Sequence, residues 1–270
     1  MSAKAVTPLR VGAVPFLNGR PLVRFLDPSS PPPTRLTLEV PSLLTEMMKN
    51  QKLDVALLPT IEYFRARTYR IIPGISISAD GEVQSVRIYS KVPIGDIRSV
   101  ALDNSSRTSV ALARIILKRK LATMPLITGC SPQASLDDLD VDAMLLIGDP
   151  AMKFRSKMPV HILDLGQAWK ELTCLPFVYA MWVVRDRVEV RELAAKLSNA
   201  RERGLASLED ISREASSETG LAPDVCLLYL RDVMHYGLGS REIEALTTFR
   251  NLAAEDNLCP GDVEIAFDHG

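Results

Sequence analysis

The loop at residues 104–109 carries the side chains best suited to chemistry in this sequence. It follows a short apolar run, leads into a helical pattern, and reads Asn104, Ser105, Ser106, Arg107, Thr108, Ser109. Backbone N–H groups at the start of a helix, with hydroxyls and a guanidinium beside them, hold a carboxylate or phosphate without a metal. An ordinary N-cap is the alternative reading, but it needs one hydroxyl and this loop supplies four. The pattern therefore predicts an anion-binding site.

Further polar residues stand where predicted strands end or where the chain is expected to cross between lobes. Asn18 follows the first predicted strand, and its amide can donate a hydrogen bond without changing charge, although Asn also satisfies ordinary turns. Gln84 and Ser85 begin one strand-like segment, and Gly148 and Asp149 end another. Asp149 could instead cap the turn that follows it. We expect these residues to reach the same site.

The elements that position these residues repeat a strand–helix–strand plan twice. Apolar patterns predict strands at 9–14, 35–40 and 53–58, a helix at 42–50, and later strands at 100–102 and 141–147 around the helix after the polar loop. Such alternation is typical of mostly parallel α/β sheets. Two lobes are predicted, the first from residues 1–88 and 186–270 and the second from residues 89–185.

Two strand-like segments, 84–90 and 177–184, are predicted to form a two-stranded hinge between the lobes. Four helices, at 187–203, 208–217, 223–235 and 240–255, are expected to pack around the first lobe. Ligands of open α/β sheets bind beyond the carboxyl ends of the strands. The site is therefore expected in the cleft between the lobes.

The bulk composition excludes several classes of protein. A net charge of −1 gives no broad field for nucleic acid or an anionic membrane, and no segment is long enough to span a bilayer. The sequence has no evident secretion signal, and its four cysteines form no CxxC pair, so a cytoplasmic protein with reduced thiols and no metal site is expected. Aromatic residues such as Trp169, Trp182 and Tyr179 are expected mostly in the core.

Four segments together resemble one known family. They are VGAVPFLNGRPL, ALDNSSRTSVALARIIL, AMLLIGDPAM and DLGQAWKELTCLPFVYAMWV, in that order along the chain. They resemble the chorismate dehydratases of the futalosine route to menaquinone. The resemblance implies the two-lobed fold of type II periplasmic-binding proteins, with a mixed sheet in each lobe. A sister family that acts on cyclic dehypoxanthinyl futalosine is the nearest enzymatic alternative.

The reaction that this resemblance implies removes a ring proton and a hydroxyl from chorismate, a small dianion, with no metal or organic cofactor. Asn18 is predicted as the catalytic residue. Substrate binding is assigned to Ser105, Ser106, Arg107, Thr108, Gln84, Ser85, Gly148 and Asp149. Whether the protein is a monomer or a homodimer stays open.

The matched segments contain no obvious general base. Asp149, Asp103 and Glu62 could serve, but each could equally be a cap or a surface group. We therefore hypothesise that the enolpyruvyl carboxylate of the substrate takes the ring proton. Two readings outside enzymology remain, a solute-binding protein for a small carboxylate or oxyanion and an effector-sensing domain of a regulator.

Overall fold

The computed structural model describes residues 7–103, 106–131 and 133–268 of the chain. The strands within these ranges are β1 Leu9–Ala13, β2 Thr34–Leu38, β3 Val55–Pro59, β4 Tyr69–Ala79, β5 Val86–Ser90, β6 Ser99–Asp103, β7 Leu126–Cys130, β8 Ala143–Ile147, β9 His161–Asp164 and β10 Phe177–Arg185. The helices are α1 Arg20–Val23, α2 Pro41–Lys49, α3 Thr60–Ala66, α4 Arg107–Lys120, α5 Asp149–Lys153, α6 Leu165–Thr173, α7 Arg191–Leu205, α8 Leu208–Thr219, α9 Pro223–Leu228 and α10 Ser240–Glu255. A π-helical segment, Tyr229–Val233, continues directly from α9.

The strands form two five-stranded mixed sheets. The first has the order β2-β1-β3-β10-β4, and the second has the order β7-β6-β8-β5-β9. In the first sheet β1 is parallel to β2 and β3, while β10 is antiparallel to β3 and β4. In the second, β6 is parallel to β7 and β8, while β5 is antiparallel to β8 and β9. Each sheet with its helices is one lobe, called lobe 1 and lobe 2 below, and the predicted α/β architecture is confirmed.

The chain crosses between the sheets just before the two strands that were predicted to form the hinge. It leaves lobe 1 after β4 and reaches β5 of lobe 2 through residues 80–85, and it returns from β9 to β10 through residues 165–176. β5 itself lies in the second sheet and begins at Val86, two residues before the predicted boundary. The division at residues 88 and 185 stays a prediction.

Burial explains why these patterns fold as they do. Every residue of β3 is buried, as an apolar strand between two others requires. Trp169 and Trp182 are fully buried, and Trp169, Phe177 and Phe249 pack edge to face with ring centroids 5.1–6.1 Å apart. The expectation that both tryptophans belong to the core is therefore confirmed.

The C-terminal helices pack mainly on lobe 1. Helix α7 contacts α1 and β4, and α10 contacts β10 and α3, with a further contact to α4 of lobe 2. Within the described ranges, no helix combines the length and the apolar character that crossing a bilayer demands.

Candidate active site

A narrow cleft lies between the two sheets and takes its walls from both lobes. The residues that line it are Val14, Phe16, Asn18, Pro41, Leu57, Pro59, Ile77, Val83, Ser85, Val86, Ser106, Ser109, Ile147, Gly148, Tyr179, Ala180 and Met234. The structure thus brings together Asn18, Ser85, Ser106 and Gly148, four residues that the sequence had singled out.

The cleft lies at the carboxyl ends of parallel strands, as expected for open α/β sheets. Asn18 follows β1 and Pro59 ends β3 in lobe 1, while Ser106 follows β6 and Gly148 follows β8 in lobe 2. The two sheets therefore present their polar loop residues to each other across one shared space.

The start of helix α4 presents two hydroxyls to this cleft. Ser106 is the N-cap with an extended backbone, but its side chain makes no capping hydrogen bond. Its Oγ instead lies 3.1 Å from the Oγ of Ser109, and both residues line the cleft. The first N–H groups of a helix have no intrahelical acceptor and attract negative charge. Asn104 and Ser105 lie outside the described residues.

The side chains of Arg107 and Thr108 contact lobe 1 and are not among the residues that line the cleft. Nη1 of Arg107 lies 3.3 Å from Oε2 of the fully buried Glu62, and Oγ1 of Thr108 accepts a hydrogen bond of 3.1 Å from the Ile61 N–H. Both partners belong to α3. These side chains join the lobes at the edge of the cleft.

Asn18 and Ser85 place further polar atoms at the cleft. Oδ1 of Asn18 is buried and has no hydrogen-bond partner among the described residues. Oγ of Ser85 accepts a hydrogen bond of 2.8 Å from the Tyr229 hydroxyl, and the Ser85 carbonyl accepts one of 2.7 Å from the Gly148 N–H. Polar atoms that are buried at a cavity wall are available to a ligand.

The remaining predicted residues flank the lining. The Gln84 N–H donates to Oδ2 of Asp164 at 2.8 Å, which anchors the crossing to β9. Asp149 begins α5 next to Gly148, and burial raises the pKa of its carboxyl despite the nearby Lys153 and the Leu17 N–H. Neither Gln84 nor Asp149 lines the cleft.

Tyr179 and Ala180 both line the cleft, although neighbouring strand residues normally face opposite sides of a sheet. The reason is a shift in register: Val178 pairs with Ser78, and Ala180 pairs with Ile77, so Tyr179 is an extra residue. Its hydroxyl is buried without a hydrogen-bond partner among the described residues, and burial raises the pKa of Tyr179 well above its usual value. A bulge of this kind has no clear signal in the apolar run FVYAMWVV.

The described residues that line the cleft include no carboxylate, histidine, lysine or arginine. The available polar groups are hydroxyls, one amide and backbone N–H groups. Among the described residues, no group of three or more His, Cys, Asp or Glu side chains is arranged to hold a metal ion.

Sequence comparison identifies one family that matches most of the chain. The sequence profile of a family described by its role in menaquinone biosynthesis matches residues 9–255. A protein of Thermus thermophilus named chorismate dehydratase is 27% identical over 247 residues, which cover 83% of this chain and 87% of that protein. A protein of the same name from Campylobacter jejuni is 25% identical, covering 78% of this chain and 79% of that one.

Solved structures share the architecture at lower identity. A protein of Archaeoglobus fulgidus superposes with a TM-score of 0.76 at 19% identity, covering 95% of this chain and all of that one. The periplasmic aliphatic sulphonate binding protein of Escherichia coli superposes with a TM-score of 0.69 at 17% identity, covering 96% and 90% of the two chains. At such identities these likenesses establish the fold, which is that of the periplasmic-binding proteins.

Proposed function

The chain belongs to the menaquinone biosynthesis family, and from this membership we propose that it is a chorismate dehydratase. Relatives of that name, which match along most of this chain, support the activity. The observation that carries the assignment to this site is a cleft between the lobes whose polar lining consists of neutral groups beside a helix start. Neutral hydrogen-bond donors beside a helix start can orient a small dianion without binding it so tightly that the product is retained.

The reaction needs no oxidant or added group. The ring carbon that bears the enolpyruvyl ether loses its proton, and the neighbouring ring carbon loses its hydroxyl with the electron pair of the C–O bond. The proton and the hydroxyl leave as water, and the ring of 3-[(1-carboxyvinyl)oxy]benzoate is aromatic. Aromatisation drives the reaction downhill, so the protein mainly has to position the substrate and assist the departing hydroxyl.

We assign one substrate carboxylate to the start of α4. The hydroxyls of Ser106 and Ser109 and the first N–H groups of the helix would donate to it. In this assignment Arg107 and Thr108 contribute their backbone N–H groups, because their side chains are used on α3. Ser105, Gln84 and Asp149 stay in the assignment as predictions.

Asn18, Ser85 and Gly148 complete the polar lining in this proposal. The Asn18 side chain, with a buried Oδ1 that lacks a partner in the described chain, would orient the reacting part of the substrate. Ser85 would donate to the departing hydroxyl. Gly148 has φ 69° and ψ −148°, a backbone conformation that favours glycine, and it shapes the loop beside them.

The enolpyruvyl carboxylate of the substrate is the proposed acceptor of the ring proton. This is supported by a cleft lining without Asp, Glu or His among the described residues. Of the three candidate carboxylates, Glu62 is fully buried and paired with Arg65 and Arg107. Asp103 is buried and is not part of the lining.

We propose the cytoplasm as the compartment. The cysteines at positions 130, 174, 226 and 259 are free thiols, which is the usual state in a reducing compartment.

Incubation of the purified protein with chorismate, followed by ultraviolet spectra and mass spectrometry, tests this function. The expected result is catalytic conversion to a product lighter by one water. Tight binding of chorismate without conversion would indicate a solute-binding protein. Conversion of cyclic dehypoxanthinyl futalosine instead would indicate the sister enzyme.

A further inference from the structure

A buried pair of hydroxyls lies directly behind the cleft wall. Tyr229 and Ser85 are 144 residues apart in sequence, are 1% and 2% exposed, and are joined by a hydrogen bond of 2.8 Å. Ser85 lines the cleft, and Tyr229 does not. Tyr229 is therefore placed to act on a ligand only through its neighbours.

The direction of this hydrogen bond sets what Ser85 can do. The Tyr229 hydroxyl donates to Oγ of Ser85 and so uses one lone pair of the serine oxygen. The hydrogen of the Ser85 hydroxyl is then free to point elsewhere. Burial raises the pKa of the Tyr229 hydroxyl, and the carboxylates of Asp149 and Asp164 raise it further, so the phenol stays a donor. Because Ser85 lines the cleft, its hydrogen is available to a substrate oxygen bound there.

The same tyrosine also neighbours a second polar residue of the cleft lining. The Asn18 side chain interacts with the Tyr229 hydroxyl. Asn18 follows β1 of lobe 1, and Ser85 leads into β5 of lobe 2. One phenol thus lies beside two polar residues of the cleft lining, one after β1 and one in the crossing that leads to β5. Tyr229 begins a π-helical segment, and such segments are frequent at functional sites.

We propose that Tyr229 is a positioning residue that holds Ser85 as a hydrogen-bond donor to the departing hydroxyl and fixes its place relative to Asn18. This rests on the proposed dehydration of chorismate. No atom of Tyr229 is transferred: the tyrosine and the serine keep their protons, and the proton that completes water is the one taken from the ring. Loss of this positioning should lower the rate of the chemical step, because the hydrogen bond from Ser85 is strongest when negative charge develops on the leaving oxygen.

Tyr236 provides a matched control. Its phenol is also buried, at 4% exposure, and its hydroxyl has no hydrogen-bond partner among the described residues. Replacement of Tyr236 by Phe removes an oxygen from the same region without removing a hydrogen bond. A purely structural role for buried phenols would make the two variants alike.

The test compares Tyr229→Phe, Tyr236→Phe, Ser85→Ala and the double variant Tyr229→Phe/Ser85→Ala, with chorismate as substrate. We expect Tyr229→Phe to lower kcat about 10- to 100-fold with KM changed less than about threefold, and Tyr236→Phe to leave kcat within twofold. In the Ser85→Ala background, Tyr229→Phe is expected to lower kcat by less than about threefold, because the hydroxyl that Tyr229 positions is already absent.

The outcomes separate the two proposals. If the wild-type protein leaves chorismate unchanged, the proposed function fails whatever Tyr229 does. If the wild type is active, equal kcat values for Tyr229→Phe and Tyr236→Phe, or full additivity with Ser85→Ala, overturn the positioning role alone. Should Tyr229→Phe fold poorly, a tetrafluorinated tyrosine incorporated at position 229 keeps the ring and the hydroxyl, and its four fluorines strongly lower the phenol pKa from its raised value. Its kcat should then fall as pH rises through the lowered phenol pKa, and an unchanged profile would overturn the proposal.

Discussion

Arg107 of lobe 2 reaches Glu62 of lobe 1, with Nη1 3.3 Å from Oε2 of a carboxylate that is fully buried. Arg65 holds the other oxygen of the same carboxylate at 2.8 Å, and Lys49 lies 3.6 Å from Oε2. Glu62 therefore has two cationic partners within lobe 1. The bond to Arg107 is the part of this cluster that joins the two lobes.

Replacement of Arg107 by Gln should therefore weaken the contact between the lobes, and with it substrate binding, more than the chemical step. Because Arg107 is partly exposed and Glu62 keeps two other cations, the cost should be about 1 kcal/mol, seen as a rise of about fivefold in KM with kcat little changed. Steady-state kinetics measure this. Arg65→Gln, which breaks a pair inside lobe 1, is the control and should lower the melting temperature without the same rise in KM. A thousandfold loss of kcat in Arg107→Gln would instead place the guanidinium on the substrate.

The proposed carboxylate site at α4 predicts a charge effect at Ser106. Ser106→Asp puts a negative charge at a helix N-terminus, which should leave stability unchanged or improve it by about 0.5 kcal/mol. The same charge should repel a dianionic substrate and raise the KM for chorismate more than tenfold above that of Ser106→Asn, a neutral control of equal size. Equal KM values in the two variants would count against an anion at this helix.

Gly148 is expected to be required because of its backbone conformation, and not because a side chain at this position would clash with neighbouring atoms. A Cβ at this position would meet its nearest neighbour, Cδ of Pro150, at 3.9 Å, which is ordinary contact. Its φ of 69° and ψ of −148° are conformations that other residues adopt only with strain, so Gly148→Ala should cost about 1–3 kcal/mol in urea unfolding. Gly95→Ala, where a Cβ meets nothing within 4 Å, is the control and should cost far less. A stable Gly148→Ala variant would show that the loop readily takes another conformation.

The strand and helix patterns predicted most of the framework, and their failures have physical causes. β4 was missed because Pro73 and Gly74 interrupt its apolar pattern, yet β4 is an edge strand, where proline is tolerated. The predicted helix at 223–235 is α9 followed by the π-helical segment, a change in winding that leaves the apolar pattern intact.

Part of the candidate site was predictable from the sequence and part was not. Asn18, Ser85, Ser106 and Gly148 were predictable because loops after parallel strands meet at one edge of each sheet. The contacts of Tyr229 and of Arg107 were not predictable, because each joins residues distant in sequence through packing of whole elements. Periodicity describes which face of one element is apolar, but it carries no information about which element packs against it.

Asp54 should make stability depend on pH in acid. Burial raises the pKa of this carboxyl, but hydrogen bonds from Arg10 and Arg185 outweigh that effect and lower the pKa to about 2. A depressed pKa in the folded state means that the stabilisation is complete above the unfolded value near 3.8 and is lost as pH falls toward 2. Because Arg10 is 42% exposed, we expect a contribution of about 1 kcal/mol.

Urea unfolding of the wild type and Asp54→Asn between pH 7 and pH 2 measures this contribution. The variant should be less stable at pH 7, and the difference should shrink between about pH 4 and pH 2. Asp262→Asn, which breaks an exposed pair with Arg67, is the control and should show almost no difference at any pH. If the difference in the free energy of unfolding between wild type and Asp54→Asn stayed constant with pH, ionisation of Asp54 would not be its cause.

Asp149 is the carboxylate best placed to replace the substrate as the base, because it adjoins Gly148 and burial raises its pKa toward the range of a working base. If the substrate carboxylate takes the proton, Asp149→Asn and Glu62→Gln should each keep at least about a tenth of kcat, measured per folded molecule. The acidic limb of the pH profile should also persist in Asp149→Asn, since it then reports the substrate. A loss of about a thousandfold in the chemical step, together with disappearance of that limb, would identify Asp149 as the proton acceptor.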